Sequence, residues 1–287
     1  MPALIDLRRR IKSVSNTRQI TQAMKTVSTA KFKKAQRSVI EGRPYWHNLP
    51  LLLERTAFWA GRQISPLLEQ RAEKRLDALV ITSDKGLCGA FNSNLLARAG
   101  EFLETKAGQA EIGLSLVGKK AVHFFRKSRF PVLYAYAGKI DRLSVVELKE
   151  IARHLMRRYV FAQTDAVYVI YNEFKSILAP RMTVTKVLPV PEPEEEQTSD
   201  LSAPTWEPEA ERILGTLLPL YVETQVAHVF FESMAAEQAA RMMAMENAAR
   251  NAEELIGDLT LVMNKIRQAS ITKELLEIMT AVEALSK

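Results

Sequence analysis

The sequence predicts an α/β protein in which long N- and C-terminal helices pair as an antiparallel coiled coil around a central α/β domain. Three observations carry that prediction. Residues 3–41 contain neither glycine nor proline and place apolar side chains at three- and four-residue steps. Between Leu76 and Leu188, five short β-branched runs alternate with helical stretches. Beyond Pro219 the chain continues to its end with no further proline and a single glycine, Gly257.

In the first segment, Leu4, Leu7, Ile11 and Val14, then Ile20, Met24, Val27 and Ala30, read as a narrow coiled-coil seam. The seam crosses Thr17 between its two halves, which predicts a local phase slip. Gly42, Pro44 and Pro50 interrupt a pattern that resumes at Leu51, so one helix is expected over 1–57 with a kink near residue 44.

The strand candidates are 76–82, 112–117, 132–136, 166–171 and 182–188, with helices expected at 92–107, 119–127 and 144–160. Near-continuous apolar strands alternating with helices indicate a mostly parallel sheet covered on both faces. The central domain is placed at 74–195. Residues 189–211 hold five prolines and eight acids with no lysine or arginine, the composition of an extended acidic linker. A second helix is then expected over 208–287, carried across Pro219 by continued apolar spacing. Its 78 residues to Leu285 correspond to roughly 115 Å at ~1.5 Å per residue, so it should extend past the first helix.

That extension carries Leu275, Leu276, Ile278, Met279, Val282 and Leu285, which spread over about half the helix circumference at ~100° per residue. A two-helix seam needs less. The apolar tip predicts a hydrophobic socket in another protein.

Composition bounds the function classes. Residues 1–43 carry eleven Lys and Arg against Asp6 and Glu41, a balance of +9 within a whole-chain charge of +7, which leaves −2 for the rest. A basic first helix suits nucleic acid, an anionic membrane surface or acidic protein loops. The single cysteine, Cys88, excludes an internal disulfide and any multi-cysteine metal site. No run of eighteen apolar residues is present, so no membrane-spanning helix is expected. MPALIDLRRRIK is charged early and lacks an apolar core, so no secretory leader is expected.

Three local motifs need weighing. SDKGLCGAFN (83–92) follows a strand, where Gly86 and Gly89 permit a tight turn and Ser93 or Asn94 could cap the next helix. Its glycine spacing matches no nucleotide fingerprint, and no histidine of a recognisable motif accompanies Cys88, so a structural or interface loop is favoured over a catalytic one. Gly113 through Gly118-Lys119-Lys120 nearly spells a phosphate loop but lacks its final hydroxyl residue, and its middle reads as strand. In 235–252, small residues, methionines and arginines share one helix, as expected of a tight helix–helix seam. No catalytic set, cofactor site or metal site emerges.

Taken together, LRRRIKSVSNTRQITQAMKTVSTAKFKKAQ (7–36), SDKGLCGAFN, EQAARMMAMENAARNA and NKIRQASITKELLEI (264–278) resemble, in order and spacing, the gamma subunit of F-type ATP synthases of the bacterial type. The resemblance covers essentially the whole chain. It departs at Ala281-Val282, where the family usually has a Gly-Ala pair, and the lone Cys88 means that the chloroplast type's regulatory dithiol is absent.

The resemblance implies a Rossmann-like central domain and a non-catalytic rotor shaft inside a ring of three alpha and three beta subunits. It maps contact with acidic beta-subunit loops onto Met24 and Lys25, with Lys25 as a guide charge. It maps ring contacts near the catch region onto Arg241, Gln268 and Thr272, includes Cys88 among the interaction positions, and makes the 275–285 tip a bearing. The Trp206-Glu207-Pro208 corner, and Glu207 within it, is implied to meet the epsilon subunit and the membrane-embedded c-ring, placing the protein peripherally on the cytoplasmic side of the cell membrane. The competing readings are a nucleic-acid-binding or scaffolding basic coiled coil, and an α/β enzyme with helical arms.

Overall fold

The structure is a computed structural model that describes residues 2–60, 65–138, 140, 143–176, 181–191 and 207–285. Most of the acidic segment, Trp206 and the side chain of Leu285 lie outside the described residues. The elements run α1 (Pro2–Ala60), β1 (Arg75–Ile81), α2 (Phe91–Ala107), β2 (Glu111–Val117), α3 (Lys119–Phe125), β3 (Val132–Tyr136), α4 (Val145–Val160), β4 (Ala166–Glu173), β5 (Arg181–Leu188) and α5 (Ala210–Leu285). Packing divides the chain into two compact units, Met1–Ser28 with Met242–Lys287, and Thr29–Arg241.

Unit Thr29–Arg241 contains a five-stranded sheet in the order β3-β2-β1-β4-β5, parallel except for the antiparallel edge pair β4–β5. The mostly parallel sheet is the one expected from the alternating strand and helix texture, and its order is Rossmann-like, as the resemblance implied. Because side chains alternate across a strand, Leu76, Ala78 and Val80 join Leu95, Leu103 and Phe125 of α2 and α3 on one face. Leu79 and Ile81 join Leu148, Leu155 and Tyr159 of α4 and Leu214, Leu218, Val222 and Phe230 of α5 on the other. Strands buried on both faces read as near-continuous apolar runs, and that is why the sequence locates them well.

Two charged groups tie these layers. Glu223 of α5, nearly buried, accepts from Arg153 at 2.9 Å and pairs with Lys149 at 3.4 Å, both on α4. Asp77, buried in β1, takes both a 2.6 Å and a 3.2 Å hydrogen bond from Arg158. The forked guanidinium satisfies a carboxylate that would be costly to bury alone.

Helix α4 begins with a capping box: the Ser144 hydroxyl accepts from the Glu147 amide at 3.3 Å, and the Glu147 carboxylate accepts from the Ser144 amide at 2.7 Å. Tyr136 of β3 donates to the same carboxylate at 2.8 Å. Ser144→Ala should lower stability by about 1 kcal/mol, read as a lower urea midpoint with unchanged slope.

Helix assignment is unbroken across Pro44 and Pro50 in α1 and Pro219 in α5. One expectation needs correcting: α5 does contain an 18-residue window, within Glu211–Val282, with mean hydropathy 1.2 and few charges. No continuous apolar run is needed to reach that mean. Leu214, Leu218, Val222, Val226 and Phe230 of this helix face the protein core.

In the other unit the two helices run antiparallel. Arg18 pairs with Glu253 at 3.1 Å and Lys25 with Glu246 at 3.2 Å, so seven residues forward on α1 match seven back on α5. The expected phase slip is absent. The inward row on α1 continues through Leu4, Leu7, Ile11, Val14, Arg18, Thr21, Lys25 and Ser28 in strict three–four alternation. Ile20 and Val27, assigned to the seam from sequence, are 60% and 56% exposed. The row on α5 answers with Met245, Ala249, Ala252, Ile256, Leu259, Met263 and Ile266, all buried or half-buried. The polar members of the α1 row have aliphatic stems or small side chains that pack while their charged ends reach α5 carboxylates.

Candidate functional site

Extending the Arg18–Glu253 register puts Pro2, the first described residue of α1, opposite Ala269. Burial obeys the same limit: Ser270 is half-buried, whereas every residue from Ile271 to Val282 is exposed. Leu275, Leu276, Ile278, Met279 and Val282 are 57–69% exposed on an intact helix. These five apolar side chains are therefore uncovered among the described residues. Gln268 and Thr272 are exposed one turn before it, with the Thr272 hydroxyl bonded to the Gln268 carbonyl at 3.0 Å.

On α1, Met24 and Lys25 are half-buried, and the Lys25 ammonium engages Glu246. Met24 lies between exposed Ile20 and Val27 at helical spacing, which gives an outward apolar stripe that sequence reasoning had turned inward. A seam assumed to be wholly apolar hid it.

The 83–92 segment of the other unit is built from within. Asn92 accepts from the Ser83 amide at 3.1 Å and donates to the Ser83 hydroxyl at 2.8 Å and to the Cys88 sulfur at 3.1 Å. Helix α2 thus starts at Phe91 with Ala90 as its uncapped N-cap, and neither Ser93 nor Asn94 has the expected capping role. Cys88 is 2% exposed, and burial pushes its thiol above the ordinary range. A thiol held protonated is a poor nucleophile. Arg241 is also buried. It pairs with Glu237 at 2.7 Å and donates to the carbonyls of Lys85 and Gly86.

At the C-terminal ends of the strands, where α/β sheets commonly bind ligands, the chain supplies its own anion. The Asp84 carboxylate accepts from the amides of Lys119, Gly138 and Ile140 at 3.0, 2.9 and 3.0 Å. One of those amides opens α3, the position a phosphate would need. The near-phosphate loop Gly113–Lys120 is β2 followed by this occupied turn. Burial raises the Asp84 pKa, but the three backbone donors outweigh it and leave the group below its ordinary 3.8. A lowered folded pKa contributes stability that is present above 3.8 and is lost as pH falls through the folded value. Asp84→Asn should therefore flatten the acid limb of stability below pH 3.8, measured by urea unfolding at a series of pH values.

Glu207 is exposed. Among the described residues, no group of three or more His, Cys, Asp or Glu side chains is placed to hold a metal ion.

A sequence profile described as ATP synthase matches residues 3–285. The ATP synthase gamma chain of Pelotomaculum thermopropionicum is 44% identical over 285 residues, covering 99% of this chain and all of the relative. The chain belongs to the ATP synthase gamma-chain family. The gamma chain of Desulforamulus reducens is 41% identical over the same length. Among solved structures, a chain of the Tetrahymena thermophila mitochondrial ATP synthase central stalk and c-ring is 26% identical with a TM-score of 0.63, covering 80% of this chain and 99% of that one. A chain of the Euglena gracilis mitochondrial ATP synthase, 18% identical with a TM-score of 0.66 over 99% of this chain and 95% of that one, shares the fold. The gamma chain is a non-catalytic subunit of the ATP synthase complex and serves as its rotor shaft. That complex is membrane-associated. The reading of the basic helix as a nucleic-acid binder finds no support among these relatives.

Proposed function

We propose that this gamma chain couples ion flow through a membrane sector to conformational change in a catalytic ring of three alpha and three beta subunits. The carrying observation is the apolar end of α5, helical and uncovered from Ile271 onward. Side chains of this kind lose about 1.5–3 kcal/mol each when left in water instead of fully buried, so a socket is the arrangement that rewards keeping them. Leu275, Leu276, Ile278, Met279 and Val282 serve as a bearing, whose non-directional apolar contact imposes little preferred angle.

Direction and force arise at the polar positions instead. Met24 and Lys25 meet acidic loops of the beta subunits, and Gln268 and Thr272 meet the ring below the bearing. Lys25 is a guide charge, since Glu246 already balances part of its field. The shaft transmits work only because its contacts differ among the three beta conformations, each favoured at one angle. The segments 1–57 and 208–287 form the shaft, and 74–195 is the part that faces epsilon and the c-ring, with Glu207 at that contact. An open apolar groove of about 610 Å³, lined by Tyr45, Leu51 and Leu52 of α1 and Leu217 and Leu220 of α5, leaves room for a partner on the two helices themselves. The complex lies on the cytoplasmic side of the cell membrane.

Affinity purification of the tagged chain from its own cells tests this. Alpha, beta and epsilon subunits should co-purify at 3:3:1 per gamma chain, with c subunits retained in mild detergent. Recovery as a free homodimer overturns the reading.

A further inference from the structure

We propose that Arg241 and Glu237 form a buried latch that fixes the 85–88 turn, so that Arg241 serves the rotor as a positioning residue behind its surface. The inference rests on the reading, implied by the resemblance, that Cys88 and Arg241 belong to the surface that meets the partner ring, and it changes what Arg241 does there.

The geometry is specific. Glu237 and Arg241 stand one turn apart on α5, with Nη1 and Oε1 at 2.7 Å and side chains only 6% and 8% exposed. The rest of the guanidinium is directed at the turn: Nε donates to the Gly86 carbonyl at 3.4 Å, and Nη2 to the Lys85 and Gly86 carbonyls at 3.3 Å each. A buried ion pair costs stability unless its remaining donors are satisfied, and here the turn carbonyls satisfy them. A lysine ammonium could keep the charge pair but has no planar fork to span two carbonyls.

The turn needs holding. Leu87 has φ 61°, a region that favours glycine, and its side chain is 63% exposed, so its own burial does not offset the strain. Below it, Cys88 and Phe91 pack on Ala236 and Ala240 of α5, whose small side chains permit the close approach. The latch therefore fixes an apolar side chain outward at a strained apex, which is the arrangement of a preformed contact.

Cys88, the only cysteine, reports on the latch. Its sulfur lies under the turn, and Arg241 lowers its pKa electrostatically while Glu237 raises it. Loss of Arg241 alone would make the thiol chemically less reactive, so any acceleration of labelling measures opening of the turn. We expect Arg241→Met to react with a small aromatic disulfide about tenfold faster than wild type in the full-length chain, with Arg241→Lys intermediate. The Glu237→Met/Arg241→Met double variant removes both buried charges and guards against general unfolding. It should keep the wild-type melting profile and still label fast. Wild-type protection of Cys88 in both Arg241→Met variants overturns the latch. In the assembled complex, Arg241→Met should lower ATP synthesis at least about threefold more than ATP hydrolysis. Fast labelling with an unchanged synthesis-to-hydrolysis ratio would uphold the latch and overturn the partner-facing reading of the turn.

Discussion

Replacing Leu276, Ile278 and Met279 together by aspartate is expected to leave the isolated chain folded and to prevent its assembly. The three side chains are 58%, 61% and 69% exposed, so among the described residues little packs against them. The thermal midpoint should move by no more than about 6 °C, because surface substitutions rarely exceed about 0.5 kcal/mol each, or about 1.5 kcal/mol for the three. In a socket the same carboxylates would lie unpaired in apolar surroundings at a cost of several kcal/mol. Association with the catalytic ring should weaken at least about a hundredfold, which corresponds to about 3 kcal/mol. The matching triple alanine variant, which loses area without burying charge, should fall between. Wild-type complex yield from the aspartate variant would show that the tip is not enclosed.

The second large effect belongs to Gly118. It sits between β2 and α3 with φ 104° and ψ 139°, a region left almost wholly to glycine. A Cβ there would stand 2.5 Å from the Thr82 hydroxyl oxygen and 2.6 Å from the Thr82 carbonyl oxygen. Thr82 cannot yield easily: its amide donates to Val117 at 2.9 Å, and its hydroxyl accepts from the Ala121 amide at 2.9 Å. Gly118→Val should cost at least about 3 kcal/mol, combining backbone strain with overpacking. For a unit of this size, that is a fall of roughly 6–12 °C in the melting temperature, measurable by calorimetry. The glycine that made 113–120 look like a phosphate loop is thus explained by a close approach between two strand ends.

The central domain was largely legible because strands buried on both faces are mostly apolar, and β1, β2 and β4 are, apart from their charged end residues and the buried Asp77, Ser115 and Asn172. The coiled coil was legible in kind and misread in register. Taking apolar residues as inward put Ile20 and Val27 in the seam, whereas Arg18, Thr21, Lys25 and Ser28 occupy it. Sequence periodicity cannot distinguish an apolar residue facing a helix partner from one facing another subunit. The bare tip escaped that ambiguity because, among the described residues, α5 runs on past the start of α1.

Arg241 was singled out by resemblance, yet its inward placement was not readable. A charged residue is exposed by default, and only the tertiary approach of two turn carbonyls reverses that. Asn92 was missed for a related reason: its amide closes a turn instead of capping a helix, and both uses draw on the same residue type.

The rotor assignment is tested most directly by watching the chain turn. Lys127→Cys places an exposed thiol just beyond α3, and because Cys88 is buried a probe can be attached there selectively. With the catalytic ring fixed to a surface and ATP supplied, the probe should rotate in one direction with three equivalent pauses per turn, one for each beta subunit. A complex that hydrolyses ATP at full rate while the probe stays at a fixed angle would contradict the assignment.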